Sequence, residues 1–418
     1  MAGHARASDL RAVARLATQA TRATTRIAEG VHQSVWRTLG ATGGTPADRT
    51  QGLTGLVYRC VAGITQALGT GLDAALVRLE PLLDAIDTAP AESAQRLAVL
   101  AALNGVMGDR LLVDGNPLAL PMSLHHDGQK IDPDRPNVAT ASGKIVLLIH
   151  GLCMNDLQWQ TWRKADDGSL QPGLDHGQAL AQAQGFTPVY LRYNSGRHVS
   201  ENGGDLSALL QRLVAAWPVP VCELVVIAHS MGGLVIRSAI HRAQLTEQAW
   251  VQPMTRIVFL GTPHHGAPME RAGNWVHHLL GCTPWSAPFA RLARLRSSGI
   301  TDLRHGSLTE DDWRGHDRFQ RHGDTRRPLP LPVGVACLAV AATLAAKRSP
   351  VADHLLGDGL VPLRSALGQH DDPVRSLALG PHDQIVAHRT GHLQLLSDPG
   401  VGRQVGAWLA RSGGLNSG

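Results

Sequence analysis

The sequence predicts an α/β protein with a mostly parallel central sheet, a helical region ahead of it and a long insertion within it. Three observations carry this. From residue 144 onward, short apolar β-branched runs alternate with stretches of helical period, the pattern of βαβ units. One such run, residues 224–227, leads through Ala228-His229-Ser230-Met231-Gly232-Gly233 into an apolar helix, so a serine stands on a tight strand-to-helix turn. The period also changes between residues 113 and 118: helical before, alternating after.

Composition narrows the class. A chain of 418 residues can bury a large core in one big domain or two smaller ones. The net charge of +5 is modest and carried by arginine far more than lysine. No basic patch is interleaved with aromatics, so nucleic acid is not an expected partner. The cysteines (Cys60, Cys153, Cys222, Cys282 and Cys337) are odd in number and lack metal spacing, which reads as free thiols in a reducing compartment. Arg6, Arg11 and Arg15 interrupt any secretory core. The longest apolar run, residues 333–346, is too short to span a bilayer and suits a core strand. The expectation is a soluble cytoplasmic protein, with peripheral membrane contact open.

Residues 1–113 form the expected helical N-terminal region. Leu10, Val13, Ala17, Ala20, Thr24, Ile27 and Val31 recur at helical spacing beside a basic stripe of Arg11, Arg15, Arg22 and Arg26. Breaks fall at residues 40–46 and at Ala89-Pro90, with further helices at about 53–83 and 92–106. The basic face can lie on anionic lipid, or it is the solvated face of a helix packed on the main domain.

Residues 114–418 form the expected second domain. Residues 118–124 and 130–131 flank His126-Asp127-Gly128, a hairpin signal. Strands follow at 144–149, 188–193, 222–228 and 256–260, with helices at 177–184, 205–217 and from Met231 to about 243. Residues 267–327 interrupt the alternation. This segment is too long for a plain connection and carries Trp275 and Trp285 among other apolar residues, as a lid or an acyl-binding wall would. Strands near 335–341 and 384–387 and a helix at 401–410 complete the chain.

A serine hydroxyl needs a base, and the base needs a partner to fix its tautomer. After Ser230 the chain supplies an acid and then a histidine. Asp358 lies in the Gly357-Asp358-Gly359 turn and His392 in a loop before the last helix; His382, His388, Asp353 and Asp371 are rivals. An oxyanion formed beside the serine needs preorganised donors. The N–H of Met231 is one candidate and the N–H of Leu152, in His150-Gly151-Leu152, the other. His150, Gly151, His229, Trp275 and Trp285 are the expected substrate contacts. No phosphate-cradling loop or dinucleotide fingerprint is present, so no organic cofactor is expected. The pairs His125-His126, His264-His265 and His277-His278 lack metal-ligand spacing, so no metal is expected and His264 and His265 are expected to shape a loop near the site.

Ile149-His150-Gly151-Leu152, Ala228-His229-Ser230-Met231-Gly232, Gly261-Thr262-Pro263-His264 and Gly357-Asp358-Gly359 resemble the α/β-hydrolase superfamily. The alanine opening the elbow, and Arg192-Tyr193-Asn194-Ser195-Gly196-Arg197, resemble its bacterial lipase and inositol-deacylase-like branch more closely. The resemblance runs from about residue 118 onward. It implies an α/β-hydrolase fold and ester hydrolysis through an acyl-enzyme, acting on a small-molecule or lipid ester. Transfer of the acyl group to an alcohol, and a non-catalytic binding scaffold, remain alternatives.

Overall fold

The computed structural model describes residues 94–160, 162–164, 170–267, 296–317, 323–345 and 357–411. The chain divides into two compact units, residues 1–96 with 113–118 and residues 97–112 with 119–418. The sheet and the candidate site belong to the second. The helices expected ahead of residue 92, their arginine stripe, Asp353 and the segment with Trp275 and Trp285 lie outside the described residues.

The first described element is the helix α1 (Ala94–Val113). A hairpin follows, β1 (Ser123–His126) and β2 (Gln129–Ile131), turning at Asp127 and Gly128. Both turn residues have positive φ, 46° and 74°, as a two-residue hairpin turn requires. Then come β3 (Lys144–Ile149), a small antiparallel pair β4 (Trp162–Lys164) and β5 (Leu170–Pro172), α2 (His176–Gln184), β6 (Thr187–Arg192), α3 (Val199–Ala216), β7 (Glu223–His229), α4 (Met231–Leu245) and β8 (Met254–Leu260). The described chain continues with α5 (Ser298–Asp302), β9 (Ala336–Thr343), α6 (Leu363–Ala366), β10 (Gln384–His388) and α7 (Pro399–Ala410).

Eight strands form one sheet in the order β2-β1-β6-β3-β7-β8-β9-β10. Neighbours from β6 to β10 run parallel, and β1 is antiparallel to both its neighbours. Side chains alternate across it as the pleat dictates. Ile145, Leu147 and Ile149 join a core with Leu206 and Leu210 of α3 and Leu234 and Ile236 of α4. Val146 and Leu148 join a second core with Leu180 of α2 and Val401, Val405 and Trp408 of α7. Helices thus cover both faces, which is why the parallel strands read as unbroken apolar runs. The second unit is an α/β fold, a mostly parallel eight-stranded sheet between helices, as expected.

Among the described residues the other expected strands and helices are present, the first strand of the hairpin only from Ser123, and two helical stretches reach beyond their expected bounds. α3 begins at Val199, ahead of the expected 205, and passes through Gly203 and Gly204. A Cβ on Gly203 would meet Ser238 Oγ of α4 at 2.4 Å, so this glycine permits close helix contact and does not break the helix. α1 is kinked at Met107, whose φ of −144° and ψ of 20° are not helical, next to the expected end at 106, and a further helical stretch continues through Gly108, where a Cβ would meet Asn194 Oδ1 at 1.9 Å. β4, β5 and the short α5 and α6 were not anticipated. The apolar run at 333–346 supplies β9, a core strand as expected. Among the described residues, no helix is long and apolar enough to cross a membrane. Cys153, Cys222 and Cys337 are free thiols, Cys222 exposed and the others buried.

Candidate active site

Ser230 follows the last residue of β7 and precedes the first of α4. Its backbone has φ 55° and ψ −123°, a region that costs about 1–3 kcal/mol for a residue with a side chain. Its N–H donates to Leu260 O at 2.8 Å and its carbonyl accepts from Gly233 N–H at 3.0 Å. The turn closes only because its neighbours are small. A Cβ on Gly232 would meet Ile149 O at 2.5 Å, and one on Gly233 would meet Thr262 Oγ1 at 2.0 Å. Ser230 Oγ is buried with no hydrogen-bond partner among the described residues.

Asp358 and His392 come together. Asp358 Oδ2 accepts from His392 Nδ1–H at 2.7 Å. Oδ1 accepts from the N–H groups of Leu360 and Val361 at 2.9 and 2.7 Å. The turn that aims the carboxylate needs its glycines: Gly357 and Gly359 have φ of 42° and 95°, and a Cβ on Gly357 would meet Val361 O at 2.1 Å. With Nδ1 donating to the acid, Nε2 is the basic nitrogen. The His392 ring lies against Gly261, where a Cβ would meet Cε1 at 3.0 Å. Gly261 directly follows Leu260, the partner of the Ser230 N–H. Of the rivals, His382 and His388 are exposed, and Asp371 is an exposed partner of Arg364.

The loop after β3 lies over the serine: a Cβ on Gly151 would sit 3.0 Å from Ser230 Cβ. Both carbonyls flanking Gly151 are tied down. Tyr193 Oη donates to His150 O at 2.9 Å, and His150 Nδ1–H donates to Gly151 O at 2.9 Å. Because the peptide is trans, fixing the Gly151 carbonyl fixes the Leu152 N–H in the opposite direction. The next amide, Cys153 N–H, is already engaged by Ser195 Oγ at 3.0 Å. That leaves Leu152 N–H, with Met231 N–H at the start of α4, as the candidate donor pair; the positive end of the helix dipole reinforces the second.

His150 and His229 are fully buried. His150 stacks on Tyr193 with ring centroids 4.4 Å apart. Burial, only partly offset by the Gly151 bond, lowers its pKa to about 4. Burial and the nearby His392 hold His229 well below the ordinary imidazole value. Both rings are therefore neutral near pH 7. The loop after β8 is fixed from behind. Arg237 of α4 donates to His264 Nδ1 at 3.2 Å and to Leu329 O, and His265 Nε2–H donates to Gly368 O at 3.0 Å. His264 and His265 thus hold this loop. Burial lowers Arg237 to about 10.

Tyr193, Ser195 and Arg237 were missed as site residues. The first two lay within a motif noted for its resemblance, but only the fold brings them to the loop they hold. Among the described residues, no group of three or more potential ligands could hold a metal ion.

Residues 121–299 match a family described as Domain of unknown function (DUF7379). No curated protein sequence matches significantly. Among solved structures, the chain is similar to the mature lipase BlEst2 of Bacillus licheniformis, at 14% identity, TM-score 0.39, covering 69% of this chain and 96% of that one. It is similar to an esterase of Pyrobaculum calidifontis at 13% identity, TM-score 0.38, covering 79% and 96%. It is also similar to the Cif epoxide hydrolase of Acinetobacter nosocomialis at 12% identity, TM-score 0.35, covering 77% and 99%. Likenesses this distant carry no argument about chemistry.

Proposed function

We propose that this chain is a serine hydrolase that cleaves carboxylic esters of apolar acyl groups through an acyl-enzyme. One observation carries the reading: a buried acid–histidine pair, Asp358 and His392, packs with its imidazole against Gly261, the residue after the Leu260 whose carbonyl accepts the N–H of a serine held in a strained elbow. In this reading His392 Nε2 takes the Ser230 proton as Oγ attacks the ester carbonyl. The N–H groups of Met231 and Leu152 receive the oxyanion. His392 then protonates the leaving alkoxide, and water, deprotonated by the same nitrogen, releases the acid. Asp358 holds the tautomer and stabilises the imidazolium.

Gly299 supports a role for the insertion in the acyl site. A Cβ there would meet Met231 Cε at 3.1 Å, so α5 packs beside the elbow. Trp275 and Trp285 are proposed as the apolar wall. The alanine-opened elbow supports the inositol-deacylase-like branch.

Hydrolysis of a chain-length series of chromogenic acyl esters, by wild type and Ser230→Ala side by side, tests this. Expected is activity that falls by about four orders of magnitude or more in the variant while the fold persists. Equal rates in the two proteins would overturn the assignment.

A further inference from the structure

His229, the last residue of β7, makes a contact that catalysis by Ser230 and His392 does not by itself require. Its Nε2 lies 3.2 Å from the backbone carbonyl oxygen of His392. A carbonyl only accepts, so Nε2 carries the proton and the neutral ring keeps its lone pair on Nδ1. The two rings are also packed together, with centroids 4.7 Å apart and planes inclined at 49°. The fit depends on Gly151, where a Cβ would come within 3.2 Å of His229 Nδ1.

His392 is therefore tied at its backbone N–H, its ring and its carbonyl. The N–H donates to Asp358 O at 3.2 Å and Nδ1–H to Asp358 Oδ2 at 2.7 Å. Both of those ties lead to the same Gly357-Asp358-Gly359 turn. They fix the base to the acid, not to the nucleophile. The bond from His229 leads to β7, and the next residue of the chain is Ser230. Proton transfer from Ser230 depends on the separation of Oγ and Nε2, and a misplacement near 1 Å costs about 100-fold.

We propose that His229 is a positioning residue that ties the loop bearing the base to the strand bearing the nucleophile, through its Nε2–H bond to the His392 carbonyl. This rests on the reading of Ser230, His392 and Asp358 given above. The residue before the serine is thus a structural partner of the base and not a wall of the acyl pocket. It must be a donor of imidazole reach, and it must be neutral, because a cation there would repel the imidazolium formed on His392.

The test compares His229→Gln, which keeps an N–H of similar reach, with His229→Leu, which removes it, and His229→Asn, whose amide is too short. The leucine variant is expected to lose roughly 100-fold in kcat on the chromogenic esters, with KM held within about threefold, and the glutamine variant to recover most of it. The asparagine variant, expected to resemble leucine, replaces it if the leucine protein fails to fold by circular dichroism. Equal kcat in the glutamine and leucine (or asparagine) variants, or a loss confined to KM, would overturn the proposal. A second readout needs no turnover: the downfield proton NMR signal of His392 Nδ1–H, identified by its absence in Asp358→Asn. It should persist in His229→Gln and broaden or shift in the variant lacking the donor. An unchanged signal there would overturn the positioning role. An inactive wild type whose NMR signal responds as expected would overturn only the ester-hydrolase reading.

Discussion

Asp358 shows how one side chain can be committed atom by atom. Oδ1 is saturated by two backbone N–H groups of its own turn, and Oδ2 faces His392 Nδ1. Replacement by asparagine therefore has one sensible orientation. The amide oxygen keeps the backbone bonds and the NH₂ group faces the imidazole. His392 must then accept at Nδ1 and carry its proton on Nε2, where it cannot take one from Ser230. Asp358→Asn is expected to lower kcat by about 10⁴-fold with little change in thermal midpoint, measured by ester hydrolysis and differential scanning calorimetry. A large loss of stability with modest loss of kcat would refute this account. This residue was legible in the sequence because its flanking glycines announce the turn. The part played by His229 was not, since its partner lies far along the chain and only tertiary packing joins them.

At the scale of elements, the loop after β3, the proposed oxyanion loop, is held from two sides. Ser195, in the loop after β6, accepts the Cys153 N–H, and Cys153 sits at φ 60°. α1 presses on the same turn, since a Cβ on Gly105 would meet Cys153 Sγ at 2.3 Å. Ser195→Ala should free the Cys153 amide and loosen the loop. Its kcat is expected to fall roughly tenfold, less than the roughly 10²–10³ lost with an oxyanion donor itself. KM should hold, and the preference for an ester over its thionoester should shrink, because sulfur fits the donors poorly. An unaltered preference would argue that Ser195 is remote from the oxyanion. Strands were legible here because burial on both faces leaves continuous apolar runs. The glycines of α3 concealed its length, because a glycine that admits a neighbouring helix and one that ends a helix look alike in one dimension.

For the whole molecule, burial of imidazoles links stability to acidity. Burial lowers His150, His176 and His265 each to about 4, against about 6.5 in an unfolded chain. Between those values the unfolded chain binds protons that the folded chain refuses, so stability rises with pH. This contribution is complete above about pH 6.5 and is lost as pH falls toward 4. Asp175 and Asp302, whose carboxyls burial pushes up, act in the opposite sense at the acid end of that window. The urea midpoint is expected to drop between about pH 7.5 and about pH 5, and less steeply in His176→Phe than in wild type. A midpoint that does not change over that range would contradict the neutral burial of these rings.

The strand order also sets a timetable. Ser230 directly follows β7, but its proposed base and acid follow β10 and β9. A ribosome therefore completes the proposed nucleophile, its elbow and the proposed oxyanion loop before it makes the groups proposed to activate them. While β9 and β10 are still unmade, β8 lacks its neighbour on that side. Reactivity, in the proposed reading, waits until the last strands dock. In the proposed reading, a half-made chain cannot attack esters in its surroundings.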